Sequence, residues 1–118
     1  QRFAVGERLW ELPAGTLEPN EPAADCAGRE LIEETGYRAA HITPLTRFYT
    51  SPGFTDEAMH AYLATGLTHV GQQLEATERI EVEVLPWADV LKMLRDGTVR
   101  DGKTIATLLH YHAFHADA

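Results

Sequence analysis

Three glutamates, Glu30, Glu33 and Glu34, fall within five residues of LPAGTLEPNEPAADCAGRELIEETGY, the segment from Leu12 to Tyr37. Gly15 precedes this acidic stretch and Gly36 follows it. On a helix, 100° per residue puts the three carboxylates within about 100° of arc, on one face. Ala24, Ala27, Gly28 and Leu31 recur at i, i+3, i+4 and i+7 and form another face. Those residues are small apart from Leu31, so the helix can pack close to a sheet. A solvated face with salt bridges is the ordinary reading of such a run, and here it fits poorly. Glu30 and Glu34 are a like-charged i,i+4 pair, which destabilises a helix. The glutamates lie toward the helix C-terminus, where the macrodipole disfavours anions. Arg29 is the one cation in the helical segment. A divalent cation removes these conflicts together. Hard oxygen ligands crowded on one face suit Mg²⁺ or Mn²⁺, with phosphate oxygens and water completing the shell.

The elements that must position these carboxylates can be read in outline. Residues 2–5 and 8–12 read as short strands around a turn at Gly6 and Glu7, and PAGTLEPNEP as a loop. Residues 22–35 read as a helix, with Pro22 in its first turn, Asn20 or Glu21 as cap and Gly36 at the C-terminal stop. Strands are predicted at 41–49, 58–65 and 79–86. The last alternates Ile80, Val82 and Val84 with Glu81 and Glu83, so one of its faces should be wet. WADVLKMLRD reads as a helix ended by Gly97, and KTIATLLHYHAF as a final helix. Strands and helices without strict alternation give the α+β class, a mixed sheet flanked by helices.

Composition narrows the function. The 118 residues predict one domain, with 44% hydrophobic residues for a core and an ordinary 24% charged. No run of eighteen apolar residues predicts a membrane helix, and no basic-then-apolar segment reads as a signal peptide. The single cysteine, Cys26, rules out an internal disulfide framework and fits a reducing, cytoplasmic setting. A net charge of −8 argues against nonspecific nucleic-acid binding and requires that an anionic substrate bring cations with it. Gln1 already sits in the strand-like QRFAV, so the numbered chain is expected to be a fragment or to lack an upstream segment.

The spacing of the acidic stretch is specific. Gly15, Glu21, Arg29, Glu30, Leu31, Glu33, Glu34, Gly36 and Tyr37 match the Nudix box, G-x5-E-x7-R-E-U-x-E-E-x-G-U with U apolar, at every fixed position. At average residue frequencies, chance gives this on the order of once in 10⁸ starting points. The chain resembles a Nudix hydrolase. WELPAG, TSPGFTDE, ERIEVEVLPW and GTVRDGKTIATLL are similar to the ADP-ribose pyrophosphatase branch, and Pro52, 15 residues beyond Tyr37, stands where that branch carries a proline. The resemblance implies a Nudix fold with a mixed β-sheet core sandwiched between α-helices. It also implies one domain over 1–118 that lacks the N-terminal strands of longer relatives. Those strands help to form a homodimer and, across it, the adenine pocket.

The resemblance further implies Mg²⁺-dependent hydrolysis of ADP-ribose, or of a related nucleoside diphosphate sugar, to AMP and ribose 5-phosphate, with Mn²⁺ able to replace Mg²⁺. Water attacks one phosphorus of the pyrophosphate, and catalysis is mostly positioning and charge neutralisation. Glu30, Glu34 and the Ala14 carbonyl are implied as metal ligands, and Glu33 as a direct or water-mediated one. Arg29 is implied to pair with a box glutamate and hold its rotamer. Glu21 supports the loop–helix junction or reaches metal through water, and Gly15 lets the backbone approach the metal. The general base is implied to come from a later loop. Glu78, in LEATERIEV, is the first choice, with Glu75, Glu81 and Glu57 as alternatives. Ser51, Gly53 and Phe54, in the same loop as Glu57, are implied to contact the pyrophosphate and terminal ribose. Arg2 answers an arginine that approaches the substrate in relatives. Another nucleotide sugar or an oxidised nucleotide is the alternative substrate, because box residues touch only phosphates and metals. A non-catalytic ADP-ribose sensor is the alternative from another class. Such domains typically lose box glutamates and often carry a DNA-binding module, whereas here every box glutamate is kept and no such module is visible. A truncated product that folds without turning over is a third reading. Cys26, the histidines His110, His112 and His115, and Trp10 and Trp87 are read as packing or surface residues.

Overall fold

The computed structural model describes residues 9–14, 20–50 and 58–115. Its elements, in chain order, are α1 (Ala23–Thr35), β1 (Tyr37–Tyr49), β2 (Ala58–His69), α2 (Trp87–Arg95) and α3 (Gly102–Phe114). The described residues belong to two compact units, one drawn from Pro13–Ile80 and the other from Gln1–Leu12 with Glu81–Ala118.

The unit Pro13–Ile80 carries the acidic helix. Pro22 stands one place earlier than expected, at the N-cap of α1, in extended backbone with φ −61° and ψ 144°. No side chain caps this end. Asn20 instead turns the chain with φ 61°, a left-handed conformation that asparagine tolerates, and Glu21 faces Arg29. At the other end Gly36 has φ 78° and donates its N–H to the Ile32 carbonyl at 2.8 Å, the left-handed stop that a side chain would strain. The next carbonyls, which have no partner inside the helix, are met by the segment after β2. Gln73 N–H reaches the Glu33 carbonyl at 2.9 Å, and Val70 and Gly71 N–H reach the Gly36 carbonyl at 2.7 and 3.0 Å.

Strand β1 starts at the last box residue, and β1 and β2 pair antiparallel from Tyr37↔His69 to Tyr49↔Ala58. The register shifts between Pro44 and Thr46, where proline has no N–H to offer the ladder. Both strands are longer than their apolar alternation predicts, because backbone pairing carries them through the small, polar ends RAA and GLTH. Helix α1 comes close to β1 at Gly28, where a Cβ would lie 3.1 Å from Ile42 Cδ1. The inner face of α1 differs from expectation. Ala24 is exposed, while Cys26 is 6% exposed. The Arg29 side chain, reaching back to Glu21, passes over the thiol with Nη2 3.8 Å from Sγ.

In the second unit, α2 follows Pro86 and ends at Asp96, with Gly97 beyond it at φ 81°. Asp101 caps α3 by accepting the Thr104 N–H at 2.9 Å and its hydroxyl at 2.8 Å. The buried Thr104 hydroxyl oxygen in turn accepts the Leu12 N–H at 3.2 Å. Trp87 packs edge-on against Tyr111 with centroids 4.9 Å apart.

Two predicted strands are corrected. Residues 79–86 form no strand, and Val84 is 79% exposed. Residues 9–12 form none either, and 2–5 lie outside the described residues. Alternation says which face of a strand would be wet, but a strand exists only through hydrogen bonds to a neighbour. Among the described residues the sheet is the antiparallel β1–β2 pair alone. The α+β class stands, with the mixed sheet reduced to that pair. No described helix is long and apolar enough to cross a membrane.

Gly36 and Gly28 differ in what they tolerate. A Cβ on Gly36 would sit 2.8 Å from Gln72 N and 2.9 Å from Gly71 C, both backbone. Gly36→Ala should therefore cost about 3 kcal/mol by urea unfolding, combining left-handed strain with backbone displacement. At Gly28 the obstacle is one terminal methyl. In an Ile42→Val background, Gly28→Ala should instead gain up to about 1 kcal/mol of helix propensity. A Gly36→Ala protein as stable as the parent would contradict the left-handed cap.

Candidate functional site

The site is built around one side chain. Arg29 Nε and Nη2 donate to the two oxygens of Glu21 at 2.9 and 3.0 Å, a bidentate fork. Its Nη1 donates to Glu30 Oε1 at 2.9 Å and to Glu33 Oε2 at 2.9 Å. The remaining Nη2 direction meets Cys26 Sγ. All five N–H donors of the guanidinium thus face an acceptor. The Glu21 and Glu30 side chains are 13% and 16% exposed, so this is a part-buried cluster rather than a surface ion pair.

Glu34 has a different partner. Its Oε1 accepts the Ala14 N–H at 2.9 Å, which draws the loop residue before Gly15 onto the carboxylate face. Burial first, then the charges of Glu33 and Glu78, push the Glu30 carboxyl above its ordinary 4.5, against the pull of Arg29. The influence of Glu78 on Glu30 puts the later turn within electrostatic reach of the box. That turn is closed by Glu78 N–H to the Glu75 carbonyl at 3.0 Å and by Glu75 N–H to Glu78 Oε1 at 2.9 Å. Both glutamates are exposed.

The unit Pro13–Ile80 therefore brings together Ala14, Glu21, Arg29, Glu30, Glu33 and Glu34, with Glu78 near enough to be felt. Glu81 belongs to the other unit. Arg2, Gly15, Ser51, Pro52, Gly53, Phe54 and Glu57 lie outside the described residues. Among the described residues, no three His, Cys, Asp or Glu side chains are arranged around a common ion position. Glu30 and Glu33 are turned onto Arg29 instead. Burial, then the charge of Glu21, pushes the Cys26 thiol up, against the pull of Arg29, which disfavours the nucleophilic thiolate. The His110 ring lies 4.9 Å from Phe114 and 5.5 Å from His115, and His112 lies 6.0 Å from Trp87. Trp10 is 38% exposed. Gln72 was not singled out in the sequence. Its carboxamide Nε2 donates to the Glu34 carbonyl at 2.7 Å and to the Ile80 carbonyl at 3.2 Å. A lone glutamine in a polar loop carries no signal of this kind.

A helix with an arginine-held row of glutamates, ended by a left-handed glycine and followed by an antiparallel hairpin, presents a carboxylate face. The NUDIX domain model matches residues 1–108, and the chain belongs to the Nudix family. The chain is similar to the ADP-ribose pyrophosphatase of Bacillus subtilis, 45% identical over 105 residues, covering 87% of this chain and 57% of that protein. It is 39% identical over 115 residues to the ADP-ribose pyrophosphatase of Mycobacterium tuberculosis, covering 95% and 56%. It is 38% identical over 110 residues to the GDP-mannose pyrophosphatase of Citrobacter koseri, covering 90% and 56%. The chain thus spans a little over half the length of these relatives. A solved structure described as an ADP compounds hydrolase aligns with TM-score 0.74 at 22% identity, over 83% of this chain and 53% of that one, and shows the shared fold. Nudix hydrolases generally need divalent metal ions.

The raised Glu30 carboxyl has a consequence for stability. A folded state that holds a proton more tightly than the unfolded chain gains stability at acid pH and loses it as pH rises through the folded value. In metal-free protein, the Tm of the parent relative to Glu30→Gln should therefore fall by a few degrees between about pH 4 and pH 7. Thermal scans across that range check the sign, and a difference that grows with pH contradicts it.

Proposed function

We propose that this chain is the Nudix domain of a pyrophosphohydrolase that cleaves ADP-ribose to AMP and ribose 5-phosphate. The observation that carries the reading is the Arg29-held carboxylate face, with Glu21, Glu30 and Glu33 at 2.9 Å from one guanidinium and Glu34 on the Ala14 backbone. The names of the relatives support the substrate class. A family match running from residue 1 to 108, through both compact units, supports one domain over 1–118.

The residues suit a hard divalent cation. The donors are all oxygens, the Glu30 carboxyl is crowded by other negative charge, and the Ala14 peptide borders Glu34. We assign Mg²⁺, with Mn²⁺ able to replace it, held by Glu30, Glu34 and the Ala14 carbonyl, with Glu33 direct or through water. Bound there, the ion would lower the pKa of a water and neutralise pyrophosphate charge. Arg29 keeps Glu30 and Glu33 in their rotamers, and Glu21 keeps Arg29 in its own. The Glu78 carboxylate takes the proton from the attacking water as its oxygen bonds to phosphorus and the bridging oxygen leaves with the other phosphate. Glu75, Glu81 and Glu57 are the alternatives for that role. Ser51, Gly53, Phe54 and Glu57 contact the pyrophosphate and terminal ribose, Pro52 shapes their loop, and Arg2 approaches the substrate. A homodimer in the cytoplasm is the proposed setting of the whole protein. The GDP-mannose pyrophosphatase relatives favour, as second reading, a guanine nucleotide sugar.

Turnover should be abolished by EDTA and restored by Mg²⁺ or Mn²⁺, with products identified by mass over a panel of ADP-ribose, GDP-mannose and oxidised nucleotides. Glu34→Gln should lower kcat by roughly 10² or more. Undiminished turnover in EDTA contradicts the mechanism, and higher kcat/KM on GDP-mannose selects the second reading.

Glu78→Gln should lower kcat while leaving metal affinity, read by Mn²⁺ titration, unchanged. Lost metal binding would make Glu78 a ligand, and normal turnover would pass its role to Glu57, Glu75 or Glu81.

A further inference from the structure

Residues 72–80 leave the end of α1 and return to within reach of it, and one side chain spans the gap. Gln72 Nε2 has two N–H groups, and each meets a backbone carbonyl, Glu34 at 2.7 Å and Ile80 at 3.2 Å. Both partners are acceptors only, so the amide nitrogen, and not its oxygen, must face them. The Glu34 carbonyl lies in the last turn of α1, on the same residue whose carboxylate meets Ala14. Next in the chain, Gln73 N–H is tied to the Glu33 carbonyl at 2.9 Å. Between Gln73 and Ile80 sits the small turn closed by Glu75 and Glu78. The first end of the segment carrying Glu78 is thus tied directly to the helix that carries Glu30, Glu33 and Glu34, and the second through the Gln72 carboxamide.

We propose that Gln72 is a positioning residue for the hydrolytic reaction: its carboxamide clamps the Glu78 turn at a set distance from the box carboxylates. The inference rests on the reading of Glu78 as the base. Gln72 is exposed, and its carboxamide meets the Glu34 backbone carbonyl. It acts by holding a solvent-exposed turn where the Glu78 carboxylate can reach the attacking water. Proton transfer is sensitive to such placement, and a shift of about 1 Å can cost up to about 10²-fold.

The test combines a double-mutant cycle with hydrogen exchange on the 118-residue chain. Gln72→Met keeps length and removes both donors, and Gln72→Glu keeps shape but faces two carbonyls with a carboxylate. Gln73→Met, which leaves its backbone bond intact, is the control. Gln72→Met should lower kcat on ADP-ribose about tenfold with KM little changed, and Gln72→Glu should lower it at least as much. In a Glu78→Gln background, Gln72→Met should cost less than about twofold, because the group it positions is already gone. The same factor in both backgrounds overturns this proposal and leaves the Glu78 reading intact. Normal turnover by Glu78→Gln overturns both. Independently of any activity, Gln72→Met should speed amide exchange at Glu75 and Glu78 while α1 stays protected. Unchanged exchange there overturns the clamp.

Discussion

The Arg29 guanidinium meets three carboxylates at once, Glu21 through a bidentate fork and Glu30 and Glu33 through single bonds of 2.9 Å. Lysine could not do this, since a compact ammonium has no planar fork. Because Glu21 precedes α1 and the other two lie on it, the same contact joins the entry loop to the helix. It also sets an electrostatic condition. One positive charge stands against Glu21, Glu30, Glu33 and the neighbouring Glu34, so the cluster remains anionic even when Arg29 is fully engaged. Burial first, and then the charges of Glu33 and Glu78, raise the Glu30 carboxyl in spite of Arg29. The proposed divalent cation and the pyrophosphate it accompanies are the natural complement of such a surface, in a chain whose net charge is −8.

Holding this cluster requires that α1 end where it does. Gly36 in the left-handed region turns the chain directly into β1. The segment from Val70 to Gln73, delivered by the return of β2, closes on the Gly36 and Glu33 carbonyls and so completes the helix end. Gly28 lets α1 approach Ile42 of β1 from the opposite side. The acidic face is thereby kept away from the hairpin. Anions near a helix C-terminus oppose the macrodipole, and the packing of α1 on β1, with the Ile32, Glu33 and Glu34 carbonyls all bonded, offsets that local cost.

Much of this was legible in the sequence because it is local. The nine box positions are set by helical spacing and two glycines, so α1, its C-terminal stop and the carboxylate face could be read without a fold. The pairing partner of Arg29 also lies within helical reach, at i+1 and i+4 for Glu30 and Glu33. What depended on tertiary contacts was not legible. The alternation in 79–86 predicted a strand that, among the described residues, has no neighbour to pair with. The ends of β1 and β2 were missed because backbone pairing, and not side-chain type, extends them. The wheel turns Ala24 inward, yet it is exposed, and the wheel does not show that Arg29 folds back across the Cys26 thiol. Gln72 left no trace, since its two acceptors are backbone carbonyls 38 and 8 residues away.

The central claim is that the Arg29-held face is where a divalent cation and a pyrophosphate meet. Anomalous scattering from crystals grown with Mn²⁺ and a non-hydrolysable ADP-ribose analogue tests it most directly. The account predicts a manganese peak bonded to the Glu30 and Glu34 carboxylates and the Ala14 carbonyl, with the analogue's phosphate oxygens completing the shell and Arg29 still forked on Glu21. Manganese bound away from these residues, with Glu34 left on the Ala14 N–H and Glu30 on Arg29 alone, would contradict it.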